Sequence, residues 1–251
     1  MDSEPLQNRI ALVTGATRGI GQAAALGLAR AGAHVIALGR TQGGLEALDD
    51  QIFAETGAHA TLVPFDLRQP EQLDVLGATI HERWGKLDIV VHAAAVLGAI
   101  TPTGHIEQKR WDETVTVNLT ATWRLIRAME PLLKASDRGR AIFLTTGRVA
   151  RPKAFWGAYA ATKAGMEALV RCWADEVENT TVQAVLLDPN QMRTRMRAEA
   201  YPGEDPLTLP EPSEIAPLVV QLAQADLGQP HRPVVFSDWK AAGGRLETGT
   251  A

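Results

Sequence analysis

The sequence predicts one α/β domain, a doubly wound parallel sheet of seven strands with helices on both faces. Three observations carry that prediction. Short apolar runs alternate with longer amphipathic segments, the pattern of a parallel sheet buried on both sides. A glycine-rich turn, residues 14–21, follows the first apolar run and opens the first amphipathic segment. The length of 251 residues, with 45% hydrophobic and 22% charged residues, suits a single domain with one large core.

The elements follow in order. Residues 10–14 read as a buried strand, and 20–31 as a helix closed by Gly32. Strand two spans 34–38, with a helix over 44–55; strand three spans 60–64, with a helix over 70–84. Strand four covers 87–93, and one long helix runs over 106–133. Strand five covers 141–146, the next helix 158–177 and strand six 181–187. Residues 189–212, rich in proline, arginine and acid, read as a long mobile segment; 190–212 would be a substrate lid. A helix over 213–225 and a strand over 233–236 complete the sheet, and 240–251 read as a loose tail. No repeat, linker or low-complexity segment divides residues 1–251.

Composition removes several function classes. A net charge of −4 without a basic block argues against a nucleic-acid partner. Cys172 is the sole cysteine, so no internal disulfide can form, and the six histidines show no metal-ligand spacing. No metal is expected. The first eight residues are short and polar, unlike a signal peptide, and no apolar run is long enough for a membrane span. A soluble, cytoplasmic protein is expected.

Two motifs point to chemistry. Tyr159 and Lys163 stand four apart on a helix and share one face. A nearby ammonium favours the phenolate and lowers its pKa, giving a proton donor or acceptor that works near neutrality. Alone, the pair equally suits a packed aromatic with a solvated lysine one turn on. The glycine turn, spaced Gly-x-x-x-Gly-x-Gly, places a helix N-terminus where a diphosphate would bind; a tight strand-to-helix turn without ligand is the alternative. Strand two ends in Gly39-Arg40-Thr41, with no carboxylate for a ribose 2′-hydroxyl. Arg40, joined by Arg18, suits a 2′-phosphate; ordinary solvated arginines are the alternative.

The Thr-Gly-x-x-x-Gly-Ile-Gly turn combined with Tyr-x-x-x-Lys at this separation resembles the short-chain dehydrogenase/reductase family, near its bacterial 3-oxoacyl-carrier-protein reductase-like members. The resemblance covers about residues 9–236. It implies a Rossmann-type fold and an oxidoreductase moving hydride between NADP(H), NAD less so, and a carbonyl/alcohol substrate. It makes Asn118, Thr146, Tyr159 and Lys163 the catalytic set. Tyr159 would be the general acid or base, and Lys163 would lower its pKa and hold the cofactor ribose. Asn118 would hold a water linked to the lysine, and Thr146 stands where a serine usually orients the carbonyl. Gly15, Thr17, Arg18, Gly19, Ile20, Gly21, Arg40, Asp66, Leu67, Ala93, Ala94, Pro189 and Thr194 would contact the cofactor, as would Tyr159 and Lys163. Asp66 would reach the adenine; from the residues alone it could equally be a turn or N-cap residue. Thr194 would fix the nicotinamide carboxamide. A homodimer or homotetramer is implied as well.

Three departures from the family pattern stand out. Thr146 replaces serine, adding a methyl and a stiffer χ1. His92-Ala93-Ala94-Ala95 replaces Asn-Asn-Ala-Gly, so His92 is expected to supply a structural hydrogen bond. Asn190 replaces the glycine after Pro189, and asparagine tolerates positive φ. These departures motivate an alternative, a cofactor-binding regulatory or scaffold protein without turnover. A dehydratase or epimerase is a third reading, disfavoured by the short length and the glycine spacing. Phe155, Trp156, Met192 and Met196 are expected around an apolar substrate pocket, with Arg148, Arg151, Arg193, Arg195 and Arg197 nearby.

Overall fold

The apolar runs are continuous rather than alternating because both faces of each strand are covered. In β1 (Ile10–Thr14), Ala11 and Val13 enter one core while Ile10 and Leu12 enter the other. The same split recurs in β5 (Gly139–Leu144), where Ile142 and Leu144 face one core and Ala141 and Phe143 the opposite one. The computed structural model describes residues 4–227 and 232–246.

The remaining strands are β2 (His34–Gly39), β3 (Thr61–Pro64), β4 (Ile89–His92), β6 (Val182–Asp188) and β7 (Val234–Val235). All pair in parallel, in the order β3-β2-β1-β4-β5-β6-β7. The predicted doubly wound seven-stranded sheet is therefore present. Helices α1 (Gly19–Arg30), α2 (Gln42–Thr56) and α8 (Ala216–Gln224) cover one face. Helices α3 (Gln72–Trp84), α5 (Ala121–Lys134) and α6 (Gly157–Glu176) cover the other. The order of strands reverses between β1 and β4, which opens a crevice at their carboxyl ends, where such sheets bind ligands.

Four expectations change. The long helix is α4 (Gln108–Val115), one π turn (Thr116–Thr120) and α5 in succession. The wider turn carries Asn118, which is buried, and such turns concentrate at functional sites. Strand five stops at Leu144, so Thr146 lies two residues beyond it in a turn. The segment after Pro189 is not featureless: it holds α7 (Arg195–Ala200), capped by Thr194 Oγ1 accepting from the Arg197 N–H at 3.2 Å. The expected loose tail begins inside α9 (Phe236–Ala241), and Gly244 is tied to Trp239 O at 3.0 Å; residues 247–251 lie outside the described residues.

Candidate active site

A cleft of about 880 Å³ opens at the β1–β4 switch point. Every residue expected to contact a cofactor lines it, from Gly15 through Arg40 and Asp66 to Thr194. Asn118 and Thr146 are not on its wall.

The glycine turn approaches its neighbours too closely for side chains. A Cβ on Gly21 would sit 2.2 Å from Gly15 O, and one on Gly15 2.9 Å from Ala94 Cα. Gly15 also has φ +67°, which favours glycine. Arg18 and Arg40 are exposed on this wall, and among the described residues neither guanidinium makes a hydrogen bond or ion pair. Asp66 caps no helix. Its carboxylate accepts from the Arg68 backbone N–H at 3.0 Å and from Arg68 Nε at 2.9 Å. Bonding to Arg68 outweighs burial and holds Asp66 below the usual carboxylate range.

At the other end, Tyr159 and Lys163 are buried on α6, 9% and 3% exposed. The expected lowering of the phenol pKa is not found. Burial, reinforced by the Asp188 charge, pushes Tyr159 up to about 12. Lys163 Nζ donates instead to Leu144 O at 2.8 Å, and burial lowers it to about 8 against the opposing pull of Glu167. Both groups are driven towards their neutral forms.

Asn118 acts as a clamp. Its Oδ1 accepts from the Val96 N–H and its Nδ2 donates to Val96 O, both at 2.9 Å; Nδ2 also reaches Thr162 Oγ1 at 3.2 Å. Thr162 in turn donates to the carbonyls of Ala158 and Tyr159. The turn of α6 that carries Tyr159 and Lys163 is thus tied to the loop after β4. Thr146 Oγ1 accepts from the Arg148 N–H at 3.3 Å, while the neighbouring Thr145 hydroxyl donates to Glu167.

His92 supplies the structural bonds expected of it, in a chain of five groups. The Ala94 N–H donates to Thr14 Oγ1, whose hydroxyl meets His92 Nδ1 at 2.8 Å. His92 Nε2 meets Thr122 Oγ1 at 3.1 Å, and Thr122 donates to Asn118 O. Since Thr122 spends its proton on that carbonyl, Nε2 carries the imidazole hydrogen and Nδ1 accepts. Burial, then the Lys163 charge, lowers His92 to about 3, so the ring is neutral.

Sequence reasoning missed two buried carboxylates beside the Tyr159–Lys163 end of the cleft. Glu167 lies one turn beyond Lys163 and also accepts from Arg171 at 2.5 Å. Asp188, at the end of β6, accepts from the backbone N–H of Asn190 at 2.9 Å and from that of Gly147. It joins the two loops beside Tyr159, and burial holds its pKa above the usual range. The eight-residue spacing of Glu167 from Tyr159 on one helical face was a usable signal. Of the residues expected around an apolar pocket, Met196 lines the cleft and Trp156 packs on Tyr159. Met192 belongs to the main core, and Phe155 is 52% exposed at φ +74°. Asn190 does take positive φ, at 57°.

The profile of the short chain dehydrogenase family matches residues 9–205. This chain belongs to the short-chain dehydrogenase family. The dehydrogenase is 38% identical over 223 residues to the oxidoreductase YciK of Escherichia coli K12, covering 88% of each chain. The solved structure of E. coli YciK superposes with a TM-score of 0.84 at 37% identity, over 89% of this chain and 92% of that one. A short-chain dehydrogenase from E. coli CFT073, solved with NADPH, superposes with a TM-score of 0.89 at 35% identity, over 94% and 99%. This dehydrogenase is accordingly an oxidoreductase. No helix among its described residues is long and apolar enough to cross a membrane.

Proposed function

We propose that this dehydrogenase moves hydride between NADP(H) and a carbonyl/alcohol substrate, with Tyr159 as general acid in reduction and general base in oxidation. The observation that carries this reading is the cleft itself. It has two arginines without an ion-pair partner among the described residues at one end and buried Tyr159 and Lys163 at the other. A dinucleotide fits its residues. The side-chain-free surface of Gly15 and Gly21 admits a diphosphate at the start of α1, and Arg18 and Arg40 would bind a 2′-phosphate. The related E. coli dehydrogenase solved with NADPH supports the phosphorylated form.

When bound, the cofactor supplies or accepts the hydride. The chain's own residues manage the proton and the geometry. A phenol held near 12 keeps its proton at neutral pH, ready for the oxygen of a carbonyl being reduced. Lys163, with a pKa about 8, remains a proton reservoir one turn away. Thr146 stands off the cleft wall with its oxygen accepting from the Arg148 N–H, and would donate its hydroxyl hydrogen to the carbonyl oxygen of a substrate that reaches past that wall. Asn118 holds α6 in register through Val96 and Thr162 rather than touching the reacting atoms. No observation favours the alternative without turnover. A cytoplasmic homodimer or homotetramer is the setting this reading assumes, with exposed Trp111 and Trp123 on α4 and α5 as the candidate contact.

Calorimetric titration with NADPH and NADH, followed by NADPH oxidation across an aldehyde and ketone panel, tests the proposal. Tight NADPH binding, weak NADH binding and turnover are expected. NADH preference would overturn the phosphate role of Arg18 and Arg40. Binding without turnover on any carbonyl would overturn the catalytic role of Tyr159.

A further inference from the structure

The loop between β5 and α6, which leads into the helix carrying Tyr159, holds three cations, Arg148, Arg151 and Lys153. No acidic residue occurs between Leu144 and Glu167, in a chain whose net charge is −4. The facing segment treats its arginines differently. Arg193 pairs with Glu211 at 2.7 Å, Arg195 with Glu199 at 2.8 Å and Arg197 with Glu204 at 2.6 Å. Among the described residues, Arg148, Arg151 and Lys153 form no ion pair.

Arg148 is not a freely solvated charge. It is half-buried, its guanidinium carbon lies 5.2 Å from the Trp156 ring centre, and Nη2 donates to Tyr201 Oη at 3.1 Å. Lys153 Nζ stands 5.5 Å from the Tyr201 ring. Trp156 links this corner to the chemistry: it packs edge-on against Tyr159 at 5.7 Å and against Tyr201 at 5.8 Å. A planar, weakly hydrated donor thus lies across the Trp156 ring from the ring of Tyr159. That arrangement suits bidentate recognition of a planar anion. The local field is already evident at Tyr201. Burial pulls its phenol up, yet Arg148, Lys153 and Arg197 leave it below its ordinary value.

We propose that the substrate is a carboxylate-bearing carbonyl compound, its carboxylate held by Arg148 with Lys153 at the lip and its carbonyl separated from it by a ring-sized spacer. Arg148 is then a specificity-determining residue. The inference rests on the redox reading of Tyr159 but has a readout of its own.

The test compares 4-formylbenzoate with its neutral isostere 4-formylbenzamide. Each is titrated calorimetrically into the protein with oxidised NADP, so that no turnover occurs. The carboxylate should bind at least about tenfold tighter, as a charge-assisted bidentate contact allows. Arg148→Met should cut the preference to about threefold or less, and Lys153→Met should reduce it by a smaller factor. Equal affinity in the wild type, or a preference surviving intact in both variants, would overturn the anion site. NADPH-driven reduction of 4-formylbenzamide in the same preparations tests the redox reading separately. Turnover without charge preference removes the anion site alone. Charge preference without turnover of either aldehyde removes the redox reading and leaves the site standing.

Discussion

The two ends of the sheet both bury ionisable groups, and they do so in opposite ways. At the amino end, Asp88 is wholly buried but accepts from Arg9 at 3.0 Å, Lys86 at 2.9 Å, Ser136 at 2.6 Å and the Ile10 N–H at 2.9 Å. Burial alone would raise its pKa; Ser136, Lys86, the Ile10 N–H and Arg9 outweigh it and keep Asp88 ionised. At the carboxyl end, burial prevails. Tyr159 rises to about 12, Lys163 falls to about 8 and His92 to about 3. Complete pairing makes a buried charge structural, whereas incomplete pairing leaves groups able to exchange protons.

Four measurements would break or sharpen this contrast. Tyr159→Phe should lower kcat by about 10²–10⁴-fold, the usual contribution of a positioned general acid, while NADPH affinity and Tm stay near wild type. A variant that keeps full turnover would sink the assignment. Asp88→Ala should do the reverse, costing about 3–5 kcal/mol in denaturant unfolding because it strands buried donors and cations. Unchanged unfolding would mean that the amino-end network is not structural. Replacing Arg18 and Arg40 together by Ala should weaken NADPH binding about 10–100-fold and flatten its salt dependence, leaving NADH binding little changed. Equal losses for the two cofactors would move the 2′-phosphate contact elsewhere.

The smallest expected effect is in pH-dependent stability. The folded pKa of His92 lies near 3, below its ordinary 6.5, so between those values the unfolded chain binds a proton that the folded chain refuses. Stability therefore falls as pH drops from about 6.5 towards 3. His92→Asn, which keeps one donor and one acceptor, should flatten that slope by up to one proton. Lys163 contributes with a different window: its folded pKa near 8 lies below 10.5, so stability rises with pH between the two. Chemical unfolding at a series of pH values reads both slopes, and an unaltered acid slope in His92→Asn would contradict the burial argument.

The elements that were easiest to read are those with local causes. Ile10–Thr14 was legible to the residue because four apolar residues followed by threonine and glycine have few other fates. Gly57 at φ +72° and Gly85 at φ +70° end α2 and α3 as left-handed caps. The π turn at Asn118 was not legible, since its extra residue is stabilised by the clamp to Val96, which arrives from a distant loop. Asp188 was likewise invisible, because its importance comes from the two backbone N–H groups that converge on it.

Sequence by itself determined the sheet, the glycine turn and the identity of Tyr159 and Lys163 as a pair on one helical face, since these depend on periodicity and spacing along the chain. Tertiary structure alone decided the protonation tendencies of that pair. It set Lys163 against the Leu144 carbonyl, placed Asp188 beside the phenol and, among the described residues, left Arg148 without a carboxylate partner. Desolvation and through-space charge depend on what surrounds a group, and spacing in the chain does not encode that.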